Sequence, residues 1–576
     1  MDVSKKLLLL AVFLPFFVTA QQKDKPKPNW QNLDWVKDGV IGVSTERAYT
    51  ELLKNKKGET VVVAVIDGGV DEEHEDLKSV MWVNPGEKPG NNTDDDNNGY
   101  ADDINGWNFL GSPNGNVRFD NLEVVRLYRK YQEKYGAVVN TTPLSKEERQ
   151  EFNLYKRIVT DYMGKMENAR SGYEQMTILH RHLDSILVRI DKKNPTANDF
   201  NDYKARNEIE SRVLKLLRSE LRKEPDFKKV KEDLDDAYKY YSAQVNYNLN
   251  LDFDPRDSIG DNYNNGAERY YGNGDAEGPD ASHGTHVAGI IAADRTNDKG
   301  IKGVAQNVRI MSVRAVPDGD ERDKDVANAI RYAVDNGAKV INMSFGKSYS
   351  WDKALVDSAV RYAESKDVLL VHAAGNDAKN TDVENNFPTR FYGDSTNANF
   401  WGMNPKVTVS QERPSYGYMG APGRQGANVK VIPDTIKFTR PQAANWIEVG
   451  ASSWKNDDGL VAEFSNYGKR TVDVFAPGVQ INSTMPGSKY KENDGTSMAA
   501  PVVAGVAALI RSYYPSLSAV QVKDIIMRSV TKIDHKVKVR DEGATKRVNF
   551  SEVCISGGVV NAYNALQMAA KMQPAL

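Results

Sequence analysis

The sequence predicts an α/β fold: a parallel sheet with helices on both faces, interrupted by a long helical, coiled-coil-like insertion. Three observations predict it. Continuous apolar runs such as Val61–Ile66 and Val368–Val371 read as strands buried on both faces, the pattern of parallel sheets. From about residue 270 onward such runs alternate with helical patterns and Gly-rich turns, as βα units do. Between the two parts, residues 115–250 are charged, poor in glycine and free of strand-like runs.

Taken in order, residues 1–20 read as a signal peptide. Lys5 and Lys6 precede the apolar run Leu7–Val18, and Val18-Thr19-Ala20 offers small residues for cleavage before Gln21. That run is short for a bilayer span, and no later run of about 18 apolar residues follows. The mature chain is therefore expected to be exported, to the periplasm, the cell surface or the medium, with no membrane span. A formal net charge of −3 gives no excess of positive charge, so neither nucleic acid nor an anionic membrane is expected as the main partner. The one cysteine, Cys554, has no internal partner for a disulfide and reads as a buried thiol.

Residues 21–110 form the first part of a catalytic domain and residues 261–576 the second, with the helical insertion over 111–260. In the insertion, Phe152, Tyr155, Val159, Tyr162, Met166, Ala169, Tyr173, Met176, His180, Leu183, Leu187 and Ile190 recur in steps of three and four. That repeat predicts a long helix packed in coiled-coil fashion, reaching about 60 Å at 1.5 Å per residue and bent at Gly164 or Gly172. Phe227, Val230, Leu234, Ala237 and Tyr241 mark a second seam, and Ile209, Val213 and Leu216 a third helix. The result is a helical hairpin or small bundle, a surface where a protein partner is expected. His180 and His182 have no ligand-spaced companions and read as seam or surface residues.

Four segments carry chemistry. Asn493-Asp494-Gly495-Thr496-Ser497 is a turn before the apolar helix VVAGVAALI, with Pro501 assigned to its first turn. Ser497 then sits at a helix N-terminus, where developing negative charge is favoured. Taken alone, an N-cap serine without chemistry explains it as well. Among seven histidines, His283 stands in a Gly/Ser-rich turn opening another helix, while His286, one turn on, reads as packing. The strand Val61–Ile66 ends in Asp67-Gly68-Gly69, and the carboxyl end of a buried strand is where open α/β sheets place their sites. A second strand ends in Ala373-Ala374-Gly375-Asn376, and an Asn amide there can donate to an oxyanion.

Together VAVIDGGVDEEHEDL, HGTHVAG, AAGN and GTSMAAP, in this order, resemble the signature segments of the subtilisin family. INMSFG and VGASSWKNDDGLVAEFSNYGKRTVDVFAPGV resemble its substrate strand and the stretch before its nucleophile. The resemblance covers residues 60–110 and 270–530. It implies a subtilisin-like sheet and a secreted serine endopeptidase that hydrolyses peptide bonds through an acyl-enzyme. Asp67, His283 and Ser497 would be the triad and Asn376 the oxyanion donor. Substrate backbone would pair with Ser344-Phe345-Gly346, and Ala373, Ala374 and Gly375 would wall a roomy primary pocket.

A structural Ca²⁺ is expected in the loop Asp94–Asp103, where D-x-D-x-N-G-x-x-D converges Asp94, Asp96, Asn98 and Asp102 around a turn at Gly99. Its twelfth position is Asn105 rather than the usual Glu. The resemblance implies a second site at Asp76 and Asn297. Two departures stand out: residues 21–60 are too few for the family's prodomain, and the insertion separates Asp67 from His283. The alternative reading is a self-processing or partner-binding protein on a protease fold, with the insertion as its binding module.

Overall fold

The computed structural model describes residues 25–573 except 140, 142, 394–440 and 542. The signal-peptide expectation, residues 1–20, lies outside them. At the centre is a sheet whose strands we label in chain order: β1 (Val61–Asp67), β2 (Gly106–Asn108), β3 (Val308–Arg314), β4 (Val340–Met343), β5 (Leu369–Ala373), β6 (Trp446–Ser452), β7 (Val474–Pro477), β8 (Thr531–Lys532) and β9 (Gly558–Val559). Their spatial order is β8-β9-β7-β6-β5-β4-β1-β3-β2. Every pairing is parallel except β8 with β9.

The strand residues alternate between two cores, as the pleat requires. Val61, Val63 and Val65 pack with α5 (Ser282–Ala292) and α8 (Thr496–Tyr513). Ala64 and Ile66 face the other way, onto α6 (Asp323–Asp335) and α7 (Lys353–Ser365). Both faces are covered, which is why the runs are apolar throughout. Among the described residues α8 alone is long and apolar enough to cross a membrane, and it is 94% buried in this core. Cys554 is buried as a free thiol, and burial raises its pKa.

The insertion opens with α1 (Glu123–Tyr135) and continues into α2 (Lys146–Ile190), an unbroken helix of 45 residues. A capping box starts α2: Ser145 Oγ accepts from the Glu148 amide at 3.1 Å and Glu148 returns to the Ser145 amide at 2.8 Å. Neither Gly164 nor Gly172 breaks it. Gly172 is needed for another reason, since a Cβ there would stand 2.3 Å from the Tyr241 ring. The chain falls into two compact units, with residues 164–246 in one and residues 27–163 and 247–576 in the other; α2 belongs to both.

Within the smaller unit, α2 packs with α3 (Glu208–Lys223) and α4 (Phe227–Ala243) through Met176, Leu183, Leu217, Val230 and Leu234. His180 lies in the seam, its Nε2 3.2 Å from the Leu234 carbonyl. Ile209, Val213 and Leu216 do lie on one further helix, α3. Val213 is buried and Leu216 half-buried, but Ile209 is exposed, and Leu214, Leu217 and Leu221 carry the contact. Asn207 caps α3, and Ile209, in its first turn, heads the i, i+4 row of Val213, Leu217 and Leu221 but stands at the exposed end of it.

Candidate active site

Asp67 closes β1 with its side chain 3% exposed. The turn that follows and the helix α5 that packs on it each require a glycine. Gly69 has φ +125° and a Cβ there would lie 1.9 Å from the Glu277 carbonyl; at Gly284 a Cβ would lie 2.1 Å from the Gly69 carbonyl. This close approach sets the first turn of α5 against the end of β1. His283 Nδ1 thereby stands 2.8 and 2.9 Å from the two Asp67 carboxylate oxygens, across 216 positions of sequence. The pair fixes the tautomer that leaves Nε2 outward. Burial lowers the pKa of the His283 imidazolium, but Asp67, with Asp280 behind it, outweighs this and holds it above the ordinary value. His286 makes a different use of the helix. Its Nε2 lies 3.0 Å from the Lys491 carbonyl, and burial pushes its pKa down to about 4.

Ser497 is the second residue of α8. Its Oγ donates to the Ser344 carbonyl at 3.0 Å, and Ser344 Oγ donates to the Ser497 carbonyl at 2.9 Å. The second bond has a cause in sequence. Pro501 is not in the first turn, as expected, but is the sixth residue of the helix. It has no N–H to give the carbonyl four residues back, and the Ser344 hydroxyl satisfies that carbonyl instead. Asn342 Nδ2 fixes Ser344 Oγ in turn, at 2.9 Å.

Asn376 follows β5. Its Oδ1 accepts from the Thr496 amide and hydroxyl, both at 2.9 Å, so its Nδ2 is left for another acceptor and lies beside Gly495. The Thr496 hydroxyl also receives the Gly375 amide at 3.1 Å. Ala373 and Ala374 are buried, and their carbonyls are held by Asn386 Nδ2 at 2.9 Å and Asn466 Nδ2 at 2.8 Å. Phe345 is 9% exposed, and Gly346 leaves room for Asn386, 2.3 Å from a Cβ built there. Sequence reasoning missed Thr496, Asn386 and Asn466, although Thr496 and Asn466 lie inside segments it singled out.

The acidic loop is arranged differently from the expected ligand set. Asp94 accepts the amides of Asn98 and Gly99 at 3.0 and 2.8 Å, and Asp102 those of Gly90, Asn91 and Asn92 at 2.7–3.3 Å. Both carboxylates fasten turns. Asp96 instead meets Glu87 and Asp103, one carboxylate oxygen from each lying within 4.8 Å of the others. Asn98 donates its amide to Asp96 and Asp103, at 3.2 and 3.1 Å. Burial pushes the Asp103 carboxyl up to about 6 against hydrogen bonds from Tyr332, Asn84 and Asn98, and Asp96 adds repulsion. The three carboxylate oxygens brought together by Glu87, Asp96 and Asp103 fit a hard divalent cation. At the other expected site Asp76 and Asn297 do meet, but through an Asn297 Nδ2 hydrogen bond of 2.7 Å. Ile301 N and Tyr490 OH occupy the second Asp76 oxygen at 3.1 and 2.9 Å, so the two side chains do not converge oxygens.

The sequence has relatives among known proteins. Thermophilic serine proteinase of Bacillus sp. (strain AK1) is 35% identical over 253 residues, 44% of this chain and 47% of that protein. Subtilisin BL of Lederbergia lenta is 31% identical over 252 residues, 44% of this chain and 71% of that protein. A solved protease from Pseudoalteromonas arctica PAMC 21717 has a TM-score of 0.35 and 26% identity, covering 51% of this chain and 73% of that one. The chain spans about half the length of the first of these relatives. The model of the subtilase family matches residues 58–551, a span that takes in β1, the helical insertion, α5 and α8, and so the chain belongs to the subtilase family.

Proposed function

We propose that the chain is an exported serine endopeptidase that hydrolyses polypeptides through an acyl-enzyme. The observation that carries the reading is the Asp67–His283 pair at 2.8 Å, taken with Ser497 at the start of α8 and Thr496 beside it holding the Asn376 carboxamide oxygen. With substrate bound, the Ser497 hydroxyl exchanges the Ser344 carbonyl for His283 Nε2. It then attacks the scissile carbonyl and gives up its proton to that nitrogen. Asp67 stabilises the imidazolium, which passes the proton to the leaving amine. Asn376 Nδ2 and the Ser497 amide take up the oxyanion. Water repeats the sequence on the acyl-enzyme, with His283 as base.

Ser344–Gly346 supplies the edge for substrate backbone, and Ala373–Gly375 wall a primary pocket suited to a large apolar side chain. Glu87, Asp96 and Asp103 would hold a structural Ca²⁺ that stitches the acidic loop and takes no part in the chemical steps. A serine-directed phosphonate tests the assignment: it should label Ser497 alone, and Ser497→Ala should abolish both labelling and casein hydrolysis with an unchanged circular dichroism spectrum. A folded wild-type protein that neither labels nor cleaves casein would instead be a partner-binding protein on a protease fold.

A further inference from the structure

Directly after the proposed substrate strand comes a lysine with almost no access to water. The Lys347 side chain is 1% exposed. Its ammonium donates to Glu123 Oε2 and to the Glu321 carbonyl, each at 2.6 Å, and meets Asp323 Oδ1 at 2.7 Å. That is one acceptor for each of its three protons, and a charge buried this deeply is tolerated only when paired in this way. The Lys347 backbone is pinned as well. Its amide donates to the Phe387 carbonyl at 3.0 Å and its carbonyl accepts from the Phe387 amide at 2.8 Å.

The acceptors lead away from the cleft. Glu123 is the first residue of α1, the helix that opens the insertion. Its amide donates to Asp320 Oδ2 at 2.7 Å, and Arg126 grips its carboxylate at 3.1 and 2.9 Å. Arg126 Nη1 also donates to the Asn121 carbonyl at 2.6 Å and meets Asp120 at 3.4 Å. Asp120, fully buried, receives Arg322 at 2.9 Å and Arg256 at 3.1 Å. Arg256 then reaches Asp261 at 3.1 Å and also Asp325. Residues 120–126, where the chain leaves for the helices, and 254–261, where it returns, thus share one buried ion network with the substrate strand. Packing alone would need an apolar side chain at 347, with no desolvation of charge.

We propose that Lys347 is a positioning residue for substrate, and that α1, through Glu123, sets the affinity of the strand Ser344–Gly346 for extended peptides. This rests on the reading of that strand given above. Its consequence is regulatory: a partner or condition that displaces α1 changes KM and leaves the chemical step alone.

The test compares an extended chromogenic peptide with a single-residue ester that does not reach the strand, using the full chain. Lys347→Met should raise KM for the peptide about tenfold, the size of one charge-assisted hydrogen bond, with kcat and the ester KM held. Glu123→Gln, which touches no substrate and keeps an acceptor for Lys347, should give the same split to a smaller degree, and it decides the matter if Lys347→Met does not fold. Absence of wild-type hydrolysis and of phosphonate labelling overturns the underlying reading of function. Peptide and ester KM rising together, or a folded Glu123→Gln enzyme with the wild-type peptide KM, overturns the linkage alone.

Discussion

Asp280 stands three residues before His283 and adds its charge to that of Asp67. In the proposed mechanism His283 must be neutral to accept the Ser497 proton, so a pKa raised above 6.5 should put the acid limb of kcat/KM above that pH. Asp280→Asn should move the limb to lower pH and leave the alkaline plateau in place; a profile from about pH 5 to 9 decides, and an unmoved limb contradicts the electrostatics. Thr496→Val keeps the shape of the side chain but removes one of the two donors that orient Asn376, so kcat should fall about tenfold with KM little changed. Asp67, His283, Asn376 and Ser497, the four groups proposed to react, stood out in the sequence because each sits in a local motif on its own element. Thr496, Asn466 and Lys347 act on partners 120, 92 and 224 positions away, and nothing local announces such pairs. The acidic loop misled for a related reason. Its spacing describes a turn, and the turn uses Asp94 and Asp102 for its own amides, leaving the convergence to Glu87, Asp96 and Asp103.

At the level of elements, the start of α1 and the start of α6 are held together by Asp120 among three arginines. Burial opposes its ionisation, but Arg322, Arg126 and Arg256 hold its carboxyl well below the usual range. A carboxylate depressed in the folded state stabilises above its unfolded pKa of 3.8, and that stability is lost as pH falls toward the folded value. Asp120→Asn should therefore cost about 3–5 kcal/mol near neutrality, as breaking a buried network does. The gap to wild type should narrow in acid, as read by urea unfolding at several pH values. Equal destabilisation at every pH would show that shape, not charge, matters there. The long helix α2 was legible because one apolar seam runs along it. The boundary at residue 164 was not, because the compact unit begins inside an unbroken helix and no turn marks it.

For the whole molecule, Asp67, His283, Asn376 and Ser497 all belong to the larger unit. Replacing residues 164–246 by a short Gly/Ser linker should leave phosphonate labelling and short-peptide hydrolysis intact; loss of both in a folded variant would place those residues in the catalytic fold. Calcium should raise the wild-type melting temperature by mass action, and Asp103→Asn should abolish that rise. An equal rise in both would move the ion elsewhere. The sheet's connectivity also fixes an order of events. Val61 of β1 pairs with Val308, so a chain delivered N-terminus first carries an apolar strand whose neighbour arrives hundreds of residues later. Non-local parallel pairing of this kind is slow and leaves unpaired edges open to aggregation. The amides of α3 and α4, whose contacts are close in sequence, should gain protection in pulse-labelling hydrogen exchange well before those of β1. β1 thus waits unpaired for its neighbour, while the helical unit, whose contacts are close in sequence, is expected to fold first.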